Sequence, residues 1–145
     1  MSAYIDTSAL AKCYIREPRS LDVLNWAEGR GEVETSPLTL VEFRCLLARR
    51  RRAGQIDGDL EASAMARFDQ DVLDRTWRIL PDATRLFEEA RLLIDQLPGI
   101  PLRALDALHI AFAQRNGAGE FATADRSQAA AASALGLTVF TFNQP

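Results

Sequence analysis

Strand-forming runs in this chain never follow one another directly, and that alternation is what most narrows the fold. Short runs rich in apolar, β-branched or aromatic residues fall at 3–5, 32–36, 76–80, 120–123 and 137–142. Between them lie helical stretches at 8–16, 19–28, 37–53, 57–73, 82–97, 102–115 and 126–135. Strands separated by helices pair in parallel and leave helices on both faces, so the expected class is α/β, three layers deep, with a mainly parallel central sheet. The boundaries have local causes. Glu17-Pro18 breaks the first helix, and Gly29 and Gly31 end the second, in which Leu21, Leu24 and Trp26 supply the apolar contacts. Pro37 opens the third helix and four arginines with Gly54 close it; Asp57 or Asp59 caps the fourth and Asp82 the fifth. Pro98 to Pro101 is the clearest break.

The run Ala3-Tyr4-Ile5-Asp6-Thr7-Ser8-Ala9-Leu10 organises the rest. A β-prone segment stopped by an aspartate, with Thr7 or Ser8 as N-cap and helix formers behind, is a strand feeding directly into a helix. Asp6 then stands at the carboxyl end of the strand, where ligands bind in open α/β sheets.

At 145 residues and 48% hydrophobic content the chain is expected to be a single domain spanning 1–145. It has no run of 18 apolar residues and no signal-peptide pattern, so the expected location is the cytoplasm, with no membrane association. Cys13 and Cys45, in apolar helical stretches and far apart in sequence, read as reduced core residues. A net charge of −3 argues against nucleic-acid binding by bulk attraction and leaves a local basic patch open. Of the 17 basic residues only Lys12 is a lysine. The arginines suit phosphate oxygens and carboxylates equally.

The chemistry lies in where four acids fall. On a helical wheel Glu42 projects between Leu38, Cys45 and Leu46, and Asp106 between Leu102, His109, Ile110 and Ala113. Acids among apolar neighbours want a compensating cation, because desolvating an unpaired carboxylate costs on the order of several kcal/mol or forces it to be protonated. Asp125 follows the strand at 120–123; if that strand is parallel to the first, Asp6 and Asp125 emerge at one sheet edge and all four acids converge. An oxygen cluster without paired His or Cys suits Mg²⁺ or Mn²⁺. Taken singly, each acid has a plainer reading: Asp6 and Asp125 as helix caps, Glu42 as a partner for Arg49.

The segments Tyr4-Ile5-Asp6-Thr7-Ser8-Ala9-Leu10, Leu40-Val41-Glu42-Phe43, Leu102 to Ala111 around Asp106, and Thr123-Ala124-Asp125 followed by Gly136-Leu137-Thr138-Val139, in this order and across the whole chain, resemble the PIN-domain ribonucleases, and among them the VapC toxins of prokaryotic toxin-antitoxin pairs. The resemblance implies a PIN-like α/β/α fold and a metal-dependent endoribonuclease that cleaves RNA phosphodiesters, with Mg²⁺ or Mn²⁺ as cofactor. Asp6, Glu42, Asp106 and Asp125 would be the catalytic and metal-binding quartet, with Ser8 and Thr123 in support. It further implies a small antitoxin whose segment lies across the site, and a symmetric homodimer, for which the helix at 59–73 is a candidate surface. A PIN nuclease of RNA processing without an antitoxin, and a noncatalytic PIN-like binding module, are the alternatives.

Other assignments fit less well. A receiver domain needs a late lysine and paired acids after the first strand, and an aspartate-nucleophile phosphatase needs an acid where Ser8 stands. His109, the only histidine, lies three residues after Asp106 and could orient that carboxylate; it is read as a packed, hydrogen-bonded residue outside the catalytic set. The run Arg49 to Arg52 suits a helix C-terminus, and Arg49, about 10 Å beyond Glu42 on the same face, is also a candidate for the next RNA phosphate. Arg52 and Arg103 are further RNA-binding candidates.

Overall fold

The computed structural model describes residues 1–144. In chain order the elements are β1 (Ser2–Ile5), α1 (Thr7–Leu10) with a 3-10 turn (Ala11–Cys13), α2 (Ser20–Glu28), β2 (Val33–Thr35), α3 (Pro37–Arg52), α4 (Gly58–Leu73), β3 (Trp77–Ile79), α5 (Leu86–Gln96), α6 (Ala104–Arg115), β4 (Ala118–Thr123), α7 (Arg126–Ala134) and β5 (Thr138–Thr141). The strands form one sheet in the order β3-β2-β1-β4-β5, parallel at every pairing. The three-layer parallel α/β arrangement expected from the alternation is therefore present.

Period-two alternation distributes the core. Ala3 and Ile5 of β1 face one layer with Phe43 and Leu47 of α3, Phe68 of α4 and Trp26 of α2. Tyr4 faces the other with Phe121 of β4, Leu86 and Leu93 of α5 and Ile110 of α6. Helix α6 is buried at every position from Asp106 to Ala113, so any polar side chain on it must find a partner inside the protein.

Because β2 and β3 add on one side of β1 and β4 and β5 on the other, the topological switch point lies between β1 and β4, where a crevice opens at the carboxyl ends. Ile5 pairs with Ala122, and the Asp6 amide donates to the Ala122 carbonyl at 3.0 Å. The residues that follow these two strands are thus held side by side.

Several local expectations change. Asp6 itself, rather than Thr7 or Ser8, caps the first helix, which gives way after one turn to 3-10 geometry. Just beyond it Tyr14 packs against Phe43, at 5.3 Å between ring centroids. In α2 the inward pair is Val23 and Trp26, one turn apart, while Leu21 and Leu24 are exposed. Helix α5 starts after Arg85, in the left-handed region, so Asp82 caps nothing. Cys45 is exposed because Phe43 and Leu47 take the inward face of α3. Cys13 is half-buried, its thiol pushed up to about 12 by burial and by the charge of Asp71. Asp57 is the cap of α4, accepting from the Leu60 amide at 2.8 Å, and Gly54, at φ +72°, ends α3 where a side chain would be strained.

Candidate active site

At the switch point a cleft of about 500 Å³ opens between α3 and the N-terminal turns of α6 and α7. Glu42, Asp106 and Asp125 line it, with Ser8, Arg49 and Arg103.

Asp6 lies behind this wall, fully buried. Its Oδ1 accepts from the Ser8 hydroxyl at 2.7 Å and the Ala9 amide at 3.0 Å, and its Oδ2 accepts from the Thr123 hydroxyl. Burial pushes its carboxyl above the ordinary aspartate range; His109 and the three donors oppose that push without cancelling it. Ser8 and Thr123 both bind Asp6, and each also accepts from a backbone amide, Ala124 and Asp125 respectively, both at 2.9 Å.

Glu42 projects from the middle of α3 and is half-buried. One oxygen, Oε1, accepts from the Thr7 hydroxyl at 2.8 Å and from Nε2 of His109 at 2.5 Å. Burial raises this carboxyl, but the His109 and Thr7 bonds outweigh it and hold Glu42 below the ordinary glutamate range. The alternative partner, Arg49, does not pair with it; Arg49 lines the cleft beside it.

Asp106 occupies the first turn of α6. Its Oδ2 accepts from the Arg103 amide at 3.2 Å and its Oδ1 from the Gln128 side-chain amide at 3.1 Å. Asp125 caps α7 through the Gln128 amide at 2.8 Å, so the plain reading of this residue as a cap is correct as far as one oxygen goes. Its other oxygen lies 3.6 Å from Nη2 of Arg103, whose Nε lies 3.5 Å from Asp106. Arg103, with 80% of its side chain exposed, thus bridges the two acids from the solvent side. Arg52 is exposed at the end of α3, outside the cleft lining.

Three partners escaped the sequence reading. His109 bonds Glu42 and not Asp106, a choice between elements that no spacing within α6 reveals. Tyr4, whose hydroxyl meets Nδ1 of His109 at 2.6 Å, reads in the sequence only as part of a strand. Gln128 stands three residues after Asp125, the spacing of a capping box, yet its side chain reaches across to Asp106.

The donor set fits a divalent, oxygen-seeking cation in kind: four carboxylates and a hydroxyl, no thiolate, and a fully buried Asp6 opposed by neutral donors and the imidazole rather than by an ion pair. Among the described residues no three Asp, Glu, His or Cys side chains stand close enough to form a ready-made ion site.

Comparison with known proteins follows the same lines. Residues 3–134 match the PIN domain family. Ribonuclease VapC47 of Mycobacterium tuberculosis is 37% identical over 114 residues, covering 76% of this chain and 73% of the relative. Among solved structures, M. tuberculosis VapC20, described as a Sarcin-Ricin loop cleaving toxin, superposes with a TM-score of 0.69 at 24% identity over 90% of this chain and 95% of that one. VapBC2 from Rickettsia felis, bound to a DNA fragment from their promoter, superposes with a TM-score of 0.67 at 15% identity over 99% of this chain and 100% of that one. These likenesses show the fold.

Proposed function

The chain belongs to the PIN-domain family, and on that premise we propose that it is a divalent-metal-dependent endoribonuclease, the toxin of a VapBC-type pair, with Mg²⁺ or Mn²⁺ as its cation. Its relative at 37% identity is named a ribonuclease of the VapC group, and the cleft carries the acids such chemistry needs. The observation that carries the reading is the gathering of Glu42, Asp106 and Asp125 around one cleft at the switch point, with buried Asp6 one hydrogen bond behind it through Ser8.

Asp6, Glu42, Asp106 and Asp125 would hold the cation. When bound, such a cation lowers the pKa of a water and neutralises charge on a phosphoryl oxygen. The chain's own residues do the rest. Arg49 and Arg103 stand on the cleft lining, where their guanidinium groups would hold backbone phosphates of the RNA. Ser8 and Thr123 hold Asp6 in place with neutral donors, so the carboxyl keeps its position whether or not it carries charge. No side chain on the cleft is placed as a covalent nucleophile in this scheme; water attacks phosphorus in line.

The partners in this reading are RNA and a small antitoxin, and the active unit is a homodimer of single-domain chains. Large exposed apolar side chains gather at Val41, Phe87 and Leu105, beside the cleft, whereas Leu73 is the one strongly exposed example on α4. The dimer or antitoxin contact is therefore better sought at the former than at α4. No helix among the described residues is long and apolar enough to cross a membrane.

The test is cleavage of an RNA substrate with and without Mg²⁺ or Mn²⁺, beside Asp106→Asn. Cleavage that needs the cation and is lost in the variant is the expected result. Cleavage indifferent to both overturns the proposal.

A further inference from the structure

We propose that His109, backed by Tyr4, is the positioning residue of Glu42: its Nε2–H fixes one carboxylate oxygen so that the other is presented to the cation. This rests on the metal-dependent reading above.

The contact is specific in a way that core packing does not require. Helix α6 is buried along two turns, so His109 needs polar partners, and a backbone carbonyl of a neighbouring layer would serve. Instead its Nε2 meets a cleft-lining carboxylate on a different helix, at 2.5 Å. A carboxylate only accepts, so the Nε2 atom carries the hydrogen. At the far side of the ring, Nδ1 meets the Tyr4 hydroxyl at 2.6 Å, and a phenol can donate to a bare ring nitrogen. In the neutral imidazole Tyr4 thereby selects the Nε2–H tautomer, the one that serves Glu42.

The backing is rigid. Tyr4 is fully buried on the central strand and stacked on Phe121, with centroids 5.4 Å apart and planes 13° from parallel. Its ring meets the edge of His109 at 5.8 Å. A second donor, Thr7, reaches the same Oε1 of Glu42, and Thr39 buttresses Thr7 at 2.9 Å. Both donors converge on Oε1, and among the described hydrogen bonds Oε2 has none. A half-exposed glutamate has several rotamers; holding one oxygen from two directions selects the one that points the other into the cleft. Outer partners of this kind orient a ligating side chain, and their loss typically costs about 10- to 100-fold in metal affinity or activity.

The test compares Mn²⁺ binding, measured by electron paramagnetic resonance of the free ion, in the wild type, His109→Leu, His109→Gln and Tyr4→Phe, with thermal melting of each. A glutamine amide can place a donor near the position of the imidazole Nε2, so it separates donation from packing. His109→Leu should weaken Mn²⁺ binding about 10- to 100-fold while His109→Gln recovers most of the loss. In cleavage assays the leucine variant should need more Mn²⁺ and approach wild-type kcat at saturation. Because the chain has one histidine, its ring nitrogens can be read directly by ¹⁵N NMR: the wild type should show the Nε2–H tautomer, and Tyr4→Phe a mixture. If His109→Leu fails to fold, His109→Gln near wild type with Tyr4→Phe weakened supports the role, and equal affinities in all folded variants overturn it. Glutamine as weak as a folded leucine variant also overturns it, as does an Nδ1–H tautomer. A wild type that binds no Mn²⁺ overturns the functional reading itself; one that binds, with a folded leucine variant binding equally well, overturns the positioning role alone.

Discussion

The two walls of the cleft hold their acids by different means. On the wall built by β1 and α3, Asp6 and Glu42 are fixed from inside the protein, by Ser8, Thr123, Thr7, His109 and a helix amide, most of them themselves buried. On the wall built by α6 and α7, Asp106 accepts from the Arg103 amide and the Gln128 side chain and Asp125 from one backbone amide, while an exposed guanidinium spans the gap between the two acids at 3.5 and 3.6 Å. Exposed ion pairs contribute about 0–1 kcal/mol, so Arg103 is easily displaced by a stronger cation or drawn away by a phosphate. Geometry is built into the first wall; adaptability is left to the second.

The largest effects expected from this contrast are on activity. Asp6→Asn and Glu42→Gln should reduce cleavage by at least about 1,000-fold without a change in RNA binding, as expected when an interaction acts mainly in the transition state. Asp125→Asn, on the adaptable wall, should lose about 10- to 100-fold and recover with added Mn²⁺, as a weakly held ligand would. Kinetics over a range of Mn²⁺ concentration separate these cases, and equal losses at all positions would erase the distinction between the walls.

Within the rigid wall, the two acids should respond oppositely to pH. Asp6 is raised in the folded state, so its contribution to stability is present below its unfolded pKa and is lost as pH rises through the folded value. Glu42 is lowered, so its contribution is present above its unfolded pKa and is lost as pH falls through the folded value. Melting curves from pH 3 to 7 in the absence of divalent ions should show Asp6→Asn gaining on the wild type, and Glu42→Gln losing against it, as pH rises. Parallel curves would mean that the burial of Asp6 and the His109 bond to Glu42 have no thermodynamic consequence.

A smaller effect concerns the arginines. Arg49→Ala and Arg103→Ala should each lower the slope of log RNA affinity against log salt by about one, with kcat little changed, because each removes one phosphate contact and its released counterions. Arg52→Ala, outside the cleft, should leave the slope unchanged. The smallest effect is the control far from either wall: Asp57→Ala removes the cap of α4, should cost about 1 kcal/mol of stability, and should leave cleavage as it was.

Much of this was legible in the residues. The alternation of strand and helix runs was enough for a parallel sheet, and Asp6 ending β1 with Asp125 after β4 was enough to bring their backbones to one edge. Local pattern failed where tertiary contacts decide. No helical wheel tells that Glu42 takes a histidine from α6 rather than Arg49 from its own helix, because both choices offer the carboxylate a donor and only packing selects between them. Gln128 kept the spacing of a cap and used its side chain elsewhere, since a buried Asp106 oxygen offered a stronger need. Hydrophobicity alone points Leu21, Leu24 and Cys45 inward, whereas the inward faces of α2 and α3 are taken by Val23 with Trp26 and by Phe43 with Leu47.

The most direct test of the cleft as the cation site is to locate the ion by paramagnetic broadening. Mn²⁺ added in small amounts to ¹⁵N-labelled protein should first erase the amide signals of residues around Asp6, Glu42, Asp106 and Asp125, and Mg²⁺ in excess should restore them. Broadening that begins instead at the surface acids of α4 and spares those four positions would contradict the assignment of the cleft.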